Sequence, residues 1–165
     1  ILTTAAKAEL LEHEIEERVT KLMTTLNKGA RDVMVNYRVH ACTDVTGFSL
    51  MGHGLEMAQG SDTELHIDTS RIDFLPRALE FADMGILPAG MYRNRNFAEP
   101  FVDAGEVPLN VQDALYDPQT SGGLLIAVDP ADAEALYAGL REAVPSAQRI
   151  GTVEPYRGGA RIILK

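Results

Sequence analysis

Two glycines run straight into five consecutive apolar residues, Gly122-Gly123-Leu124-Leu125-Ile126-Ala127-Val128, and no other junction restricts the fold as much. An unbroken apolar run of that length reads as a buried strand. Asp129-Pro130 then opens a helix through Val144, with Ala133, Leu136, Tyr137 and Leu140 on one side. Residues 148–153 and 160–164 read as two further strands, joined by a turn containing Gly158 and Gly159. Strand, helix, strand, strand is an α/β signature. With the helices that precede it, the pattern predicts an α/β (α+β) fold, a mixed small β-sheet covered by helices. The 165 residues show no repeat, low-complexity tract or linker, so one domain is the simplest organisation.

The first two thirds supply those helices. Leu11, Ile15, Val19, Leu22 and Leu26 recur every three or four positions and predict one amphipathic helix over residues 4–26. The acidic run within it, residues 9–17, reads as a solvated face near a helix N-terminus, where negative charge suits the dipole. Asn27 is placed to cap a shorter helix that turns Val33, Met34 and Tyr37 inward. Phe48, Leu50, Met51, Leu55 and Met57 predict a helix ending near Gly60, with Met51 and Met57 as core filling. Leu65 and Ile67 alternate with Glu64, His66 and Asp68, the period of a half-buried strand. Residues 76–84 read as a short helix with Pro76 in its first turn and Gly85 past its end. Residues 87–110 hold no steady period and are expected to be irregular with some short elements.

Charge and composition narrow the function. Asp and Glu number 24 against 15 Lys and Arg, a net charge of −9 that would repel a phosphate polymer, so nucleic acid is not an expected partner. A small anionic ligand would need a local device: a metal ion, a helix N-terminus or a glycine loop. The single cysteine, Cys42, excludes an internal disulfide and leaves the cytoplasm as the default location. No run of about eighteen apolar residues exists to span a membrane. The opening Ile1-Leu2-Thr3-Thr4 has neither a signal-peptide pattern nor an initiator Met, and the chain is expected to begin part-way through a longer product.

Two segments break the local rules, and such breaks are where function concentrates. In residues 43–53, Asp44 lies on a turn before a helix, with Gly47 giving the backbone freedom. Asp44 could cap the helix by accepting backbone N–H groups, or project into a cleft and bind a hard cation such as Mg²⁺. Spacing alone favours the cap. In Tyr116-Asp117-Pro118-Gln119-Thr120-Ser121-Gly122-Gly123, hydroxyls and paired glycines could let backbone N–H groups approach a phosphate; a tight turn feeding a strand explains them as well. No Lys follows the glycines, so this is not a phosphate loop of the GxxxxGK[ST] kind. His40, His53 and His66 lack companions at metal-site spacing and read as packed or surface residues. Cys42 lies near Asp44, which would raise its pKa and unfit it as a nucleophile.

The segments "TDVTGFSLMGH", "LEMAQGS" and "YDPQTSGGLLIAV" resemble the signatures of the selenide, water dikinase (selenophosphate synthetase) family. "LTTAAK", "MTTLN", "GILPAGMYRNR" and "RIGTV" fit the same family in the same order, so the resemblance covers nearly the whole chain. The resemblance implies an enzyme that makes selenophosphate from selenide, ATP and water, releasing AMP and phosphate with Mg²⁺ as cofactor. It implies a homodimer of two-domain subunits whose N-terminal domain carries the catalytic Cys or selenocysteine, a catalytic Lys and most nucleotide contacts. Residues 1–165 match the C-terminal domain alone, an α/β layer shared with the aminoimidazole ribonucleotide synthetase superfamily, so no catalytic residue, no activity of this part alone and little magnesium affinity are expected here. Asp44 falls on the family's magnesium-binding Asp, which lifts metal binding above capping. Thr46 and Gly47 would shape that site, while Thr120, Ser121, Gly122 and Gly123 divide evenly between phosphate-side and structural roles. Ser49 stands where the family usually has glycine, a mild change unless that backbone needs a positive φ. Thiamine monophosphate kinases or hydrogenase maturation factors, and a non-catalytic scaffold module, are the rival readings.

Overall fold

Four strands form the larger sheet in the order β3 (Val102–Asp103), β6 (Ile162–Leu164), β2 (Thr63–Ile67), β5 (Gly151–Pro155) in a computed structural model that describes all 165 residues. β6 runs parallel to both β2 and β3, whereas β5 pairs antiparallel with β2, so the sheet is mixed as expected. Gly158 and Gly159 do make the turn after β5, with φ of 87° and 108°, but β5 and β6 are not neighbours. β2 lies between them. One face of the sheet carries Leu65, Ile67, Ile162 and Leu164, all buried. Against them pack Met51, Leu55 and Ala58 of α4 (Ser49–Gly60), Met91 and Ala98 of α6 (Ala89–Ala98), and Leu115 and Tyr116 of α7 (Leu109–Tyr116). The i, i+4, i+7 spacing on α4 is what one helical face offers a sheet. Alternation sends Glu64 and His66 to the opposite face, where they hydrogen-bond at 3.0 Å.

A second pair of strands, β1 (Val39–Asp44) and β4 (Leu124–Val128), forms an antiparallel ribbon of its own. α3 (Lys28–Met34) and α8 (Ala133–Ala143) pack on one another beside it, and Arg38 is held by Asp132 through both its backbone N–H (3.0 Å) and its Nε (2.9 Å). Asn27 occupies the N-cap position of α3, though its side chain makes no capping bond. β4 is not the buried strand its apolar run predicts: all five residues are half-buried. With β1 as its one sheet neighbour, only its inner face, where Leu125 reaches α4 near Gly54, is covered. The outer face shows Cys42 beside Ile126 and Asp44 beside Leu124.

Three further expectations are corrected. Residues 4–26 are not one helix but two, α1 (Leu2–Lys7) and α2 (His13–Thr24). α1 ends in a pair of bonds, Leu10 N–H to the Ala5 carbonyl and Glu9 N–H to the Ala6 carbonyl, with Glu9 at φ 58°. This is a Schellman stop in which Glu stands where glycine is usual, so the sequence carried no sign of it. Ala5 and Val19 from these helices pack on Ala78, Phe81 and Ala82 around α5 (Ala78–Asp83), a second, smaller core. Residues 87–110 contain the ten-residue helix α6. Its inward positions are Met91, Asn94 and Ala98, a helical spacing with a polar residue in the middle, which hid the period. Finally, Ser49 has φ 70°. Its backbone does take the conformation that favours glycine, so the replacement is a strained one, not a mild one.

Candidate functional site

The structure brings the two motif segments together. Beyond the end of the β1–β4 pairing, the Val45 N–H donates to the Gly123 carbonyl (2.9 Å) and the Gly122 N–H donates to the Val45 carbonyl (2.9 Å). The Gln119 N–H reaches the Thr46 carbonyl at 3.0 Å. Residues 44–49 and 117–123 thus form one double loop at one end of the ribbon. The approach is tight: a Cβ on Gly122 would stand 2.5 Å from the Val45 carbonyl oxygen. Gly123, at φ 94°, makes the bend into β4.

Asp44 is the last residue of β1 and is exposed. It does not cap α4, whose N-cap position is Phe48 with no side-chain capping bond. That expectation fails because four residues of turn separate the carboxylate from the helix. Within the chain the Asp44 carboxylate accepts no hydrogen bond and joins no ion pair; only its backbone carbonyl is used, by the Thr43 hydroxyl at 3.1 Å. The other carboxylate of the double loop, Asp117, is spent internally on the Ile1 nitrogen (2.8 Å) and the Gln119 amide (3.1 Å). Burial pushes the Asp117 carboxyl above its usual range, against the hydrogen bond from Gln119. No three His, Cys, Asp or Glu side chains converge to hold a metal. A metal at Asp44 would therefore draw its other ligands from elsewhere.

Thr46 and Gly47 are in the double loop with both carbonyls and the Thr46 hydroxyl in use, while their own N–H groups meet no partner within the chain. The Thr46 carbonyl takes the Ser49 and Gln119 N–H groups (2.9 and 3.0 Å), closing a turn that Ser49 exits in the left-handed conformation. The Thr46 hydroxyl lies 3.1 Å from His53 Nε2, which also receives the Phe48 N–H at 3.3 Å. Because Nε2 accepts from a backbone amide, the ring proton resides on Nδ1, 3.3 Å from Glu56. His53 is thus the cap that Asp44 is not, reaching back from the first turns of α4. The Gly47 carbonyl accepts from Asn94 Nδ2 at 3.0 Å. Neither His53 nor Asn94 stands out in sequence as part of a site; the helical phase of α6 would have pointed to Asn94.

The Thr120 to Gly123 segment divides. The Gly122 amide is consumed by Val45, so it is structural and offers nothing to a phosphate. The amides of Thr120, Ser121 and Gly123 are engaged by no other part of the chain, and Thr120 is exposed. On the outer face of the ribbon, in line with Asp44, a cleft of about 540 Å³ is lined by Asn27, Lys28, Arg31, Asp32, Cys42 and Leu124. Burial first, and the Asp44 charge second, raise the Cys42 thiol pKa, as expected for a sulfur that is no nucleophile. His40, His53 and His66 each pair with one carboxylate, and no metal-ligating set forms around them.

The family model described as "AIR synthase related protein, C-terminal domain" matches residues 1–163. Among curated relatives, the selenide, water dikinase of Treponema denticola is 47% identical over 144 residues, 87% of this chain and 41% of that protein. The enzyme of the same name from Pelobacter propionicus is 49% identical over 142 residues, 86% of this chain and 41% of its own. That of Clostridium botulinum strain Eklund 17B is 40% identical over 166 residues, all of this chain and 48% of its own. The chain thus spans less than half the length of the curated relatives it matches. No helix is long and apolar enough to cross a membrane. By the family match and by the α/β fold with its small mixed sheet, this chain belongs to the AIR synthase related protein C-terminal domain family, and the relatives it resembles are named selenide, water dikinase.

Proposed function

We propose that the chain is the C-terminal part of a cytoplasmic selenide, water dikinase that makes selenophosphate from selenide, ATP and water, releasing AMP and phosphate, and that Asp44 is its contribution to the Mg²⁺–ATP site. One observation carries this reading: Asp44 is an exposed carboxylate with no partner, at the mouth of a double loop whose other carboxylate, Asp117, is bonded to Gln119. Neither a cap nor an ion pair occupies the Asp44 carboxylate, which leaves it free to take a cation. The donor set suits the ion. Mg²⁺ takes one or two carboxylates and completes its octahedron with phosphate oxygens and water. When bound, the ion would neutralise phosphate charge during phosphoryl transfer, a reaction catalysed chiefly by positioning and electrostatics. Asp44 would supply one oxygen ligand, and further carboxylates, the catalytic Cys or selenocysteine and the Lys would come from an N-terminal domain of a two-domain, homodimeric enzyme. The free amides of Thr120, Ser121 and Gly123 are donors that could meet a phosphate oxygen beside that ion.

The test is Asp44→Asn in the full-length enzyme, assayed for selenide-dependent conversion of ATP to AMP. The expected result is loss of most activity with an unchanged melting temperature. Near-normal turnover would remove the metal role.

A further inference from the structure

We propose that Asn94 is a positioning residue for this site: its side-chain amide ties the Asp44 turn to the start of the Gly122–Gly123 loop and so sets where the Asp44 carboxylate points. Asn94 is buried, 7% exposed, on the inward face of α6. An asparagine amide has two hydrogens, and both are used. One goes to the Gly47 carbonyl at 3.0 Å, the other to the Tyr116 carbonyl at 3.1 Å. Those acceptors are 69 residues apart in sequence, one in each motif, so a single side chain joins the two loops from outside both.

The helix that carries Asn94 is itself fixed. Met91 and Ala98 are fully buried on either side of it, and neighbouring Arg95 bonds Asp113 at 2.6 Å and lies 4.7 Å from the Tyr116 ring centre. Asn94 therefore works from a rigid base. The turn it grips is otherwise strained, since Ser49 holds φ 70° two residues beyond Gly47. Without the amide, the Gly47 and Tyr116 carbonyls lose their shared donor, and the turn is free to relax toward a lower-energy backbone. A buried helix position between Met91 and Ala98 is ordinarily apolar, so packing alone gives no reason for a polar side chain there.

This inference rests on the metal reading of Asp44, and the experiment separates the two. Asn94→Ala and the similarly branched Asn94→Leu are made in the full-length protein, with Met91→Ala on the same helix as a control for lost packing and Asp44→Asn as a control for the metal. Hydrogen exchange, read by mass spectrometry without nucleotide or metal, reports the loops directly. The concentration of Mg²⁺ giving half-maximal ATP turnover reports the site. The expected result is faster exchange confined to residues 44–49 and 117–123 in both Asn94 variants and a half-maximal Mg²⁺ concentration raised roughly tenfold or more, the usual cost of losing an outer-shell support. Met91→Ala should lower the melting temperature without either change. Unaltered exchange in the Asn94 variants, or the same loop opening and Mg²⁺ shift in Met91→Ala, overturns the proposal. If Asp44→Asn leaves the Mg²⁺ dependence untouched, the metal reading falls, while the exchange data still judge Asn94. Should Asn94→Ala fail to fold, Asn94→Leu, which keeps the branched shape and removes both donors without burying a charge, decides the matter.

Discussion

Replacing Ser49 tests the loop geometry where it is most exacting. An L-residue in the left-handed region costs about 1–2 kcal/mol, and Ser49 sits there at φ 70° with its side chain wholly buried. Its hydroxyl receives the Gly52 N–H at a long 3.4 Å, a bond contributing no more than about 0.5 kcal/mol. Ser49→Gly removes the strain and that bond, and it gives the unfolded chain extra freedom that costs about 0.5–1 kcal/mol. The balance runs from about 0.5 kcal/mol lost to about 1 kcal/mol gained, centred on a small gain. Ser49→Ala keeps the strain and loses the bond, so it should fall below the parent. The gap between the two variants is then about 1 kcal/mol, or roughly 2–4 °C in melting temperature for a domain of this size. Thermal melts of parent, Ser49→Gly and Ser49→Ala supply the comparison. The expected order is Gly at or above Ser, and Ser above Ala. A glycine variant that melts below the alanine variant would refute the assignment of strain at this residue.

Gly122→Ala places a methyl 2.5 Å from the Val45 carbonyl oxygen, a backbone atom that cannot swing aside, so about 2–4 kcal/mol of stability should be lost; a melting temperature within 1–2 °C of the parent would contradict the tight approach. Glu64 predicts an acid limb. His66 first, then the Arg157 backbone N–H, hold its carboxyl below the ordinary 4.5. A depressed carboxyl contributes stability that is present above its unfolded pKa and lost as pH falls through its folded one. Glu64→Gln should therefore be less stable than the parent at neutral pH and show a shallower loss below about pH 4.5 in urea titrations; parallel curves would show that Glu64 does not contribute.

How much could be read in advance depended on which residues did the work. Apolar residues at helical or alternating spacing placed α4, α8, β2 and the last two strands, because burial of such residues is the dominant force and leaves its period in the sequence. The approach of the two motifs was not legible. It is made by backbone carbonyls and amides of Val45, Thr46, Gly122 and Gly123, which every residue possesses. α6 was hidden because Asn94 takes the place of an apolar anchor, and the break at Glu9 because a charged residue fills a position that glycine usually marks. The breadth of β4 misled for another reason: an apolar run says that a strand prefers to be covered, not that one chain supplies the cover on both faces. Asp44 was singled out by its motif, but the spacing argument favoured a cap. Only the distance between the end of β1 and the first turn of α4, bridged by His53, shows that the carboxylate is left without a partner.

The most direct test of that carboxylate's purpose is a manganese titration of the full-length protein by electron paramagnetic resonance, in the presence of a non-hydrolysable ATP analogue. Mn²⁺ shares the preference of Mg²⁺ for hard oxygen ligands. With Asp44→Asn, nucleotide-dependent binding of Mn²⁺ should weaken by roughly tenfold or more while binding of the analogue without metal is unchanged. Superimposable titrations of the two proteins would contradict the account, leaving Asp44 a surface charge beside a well-made loop.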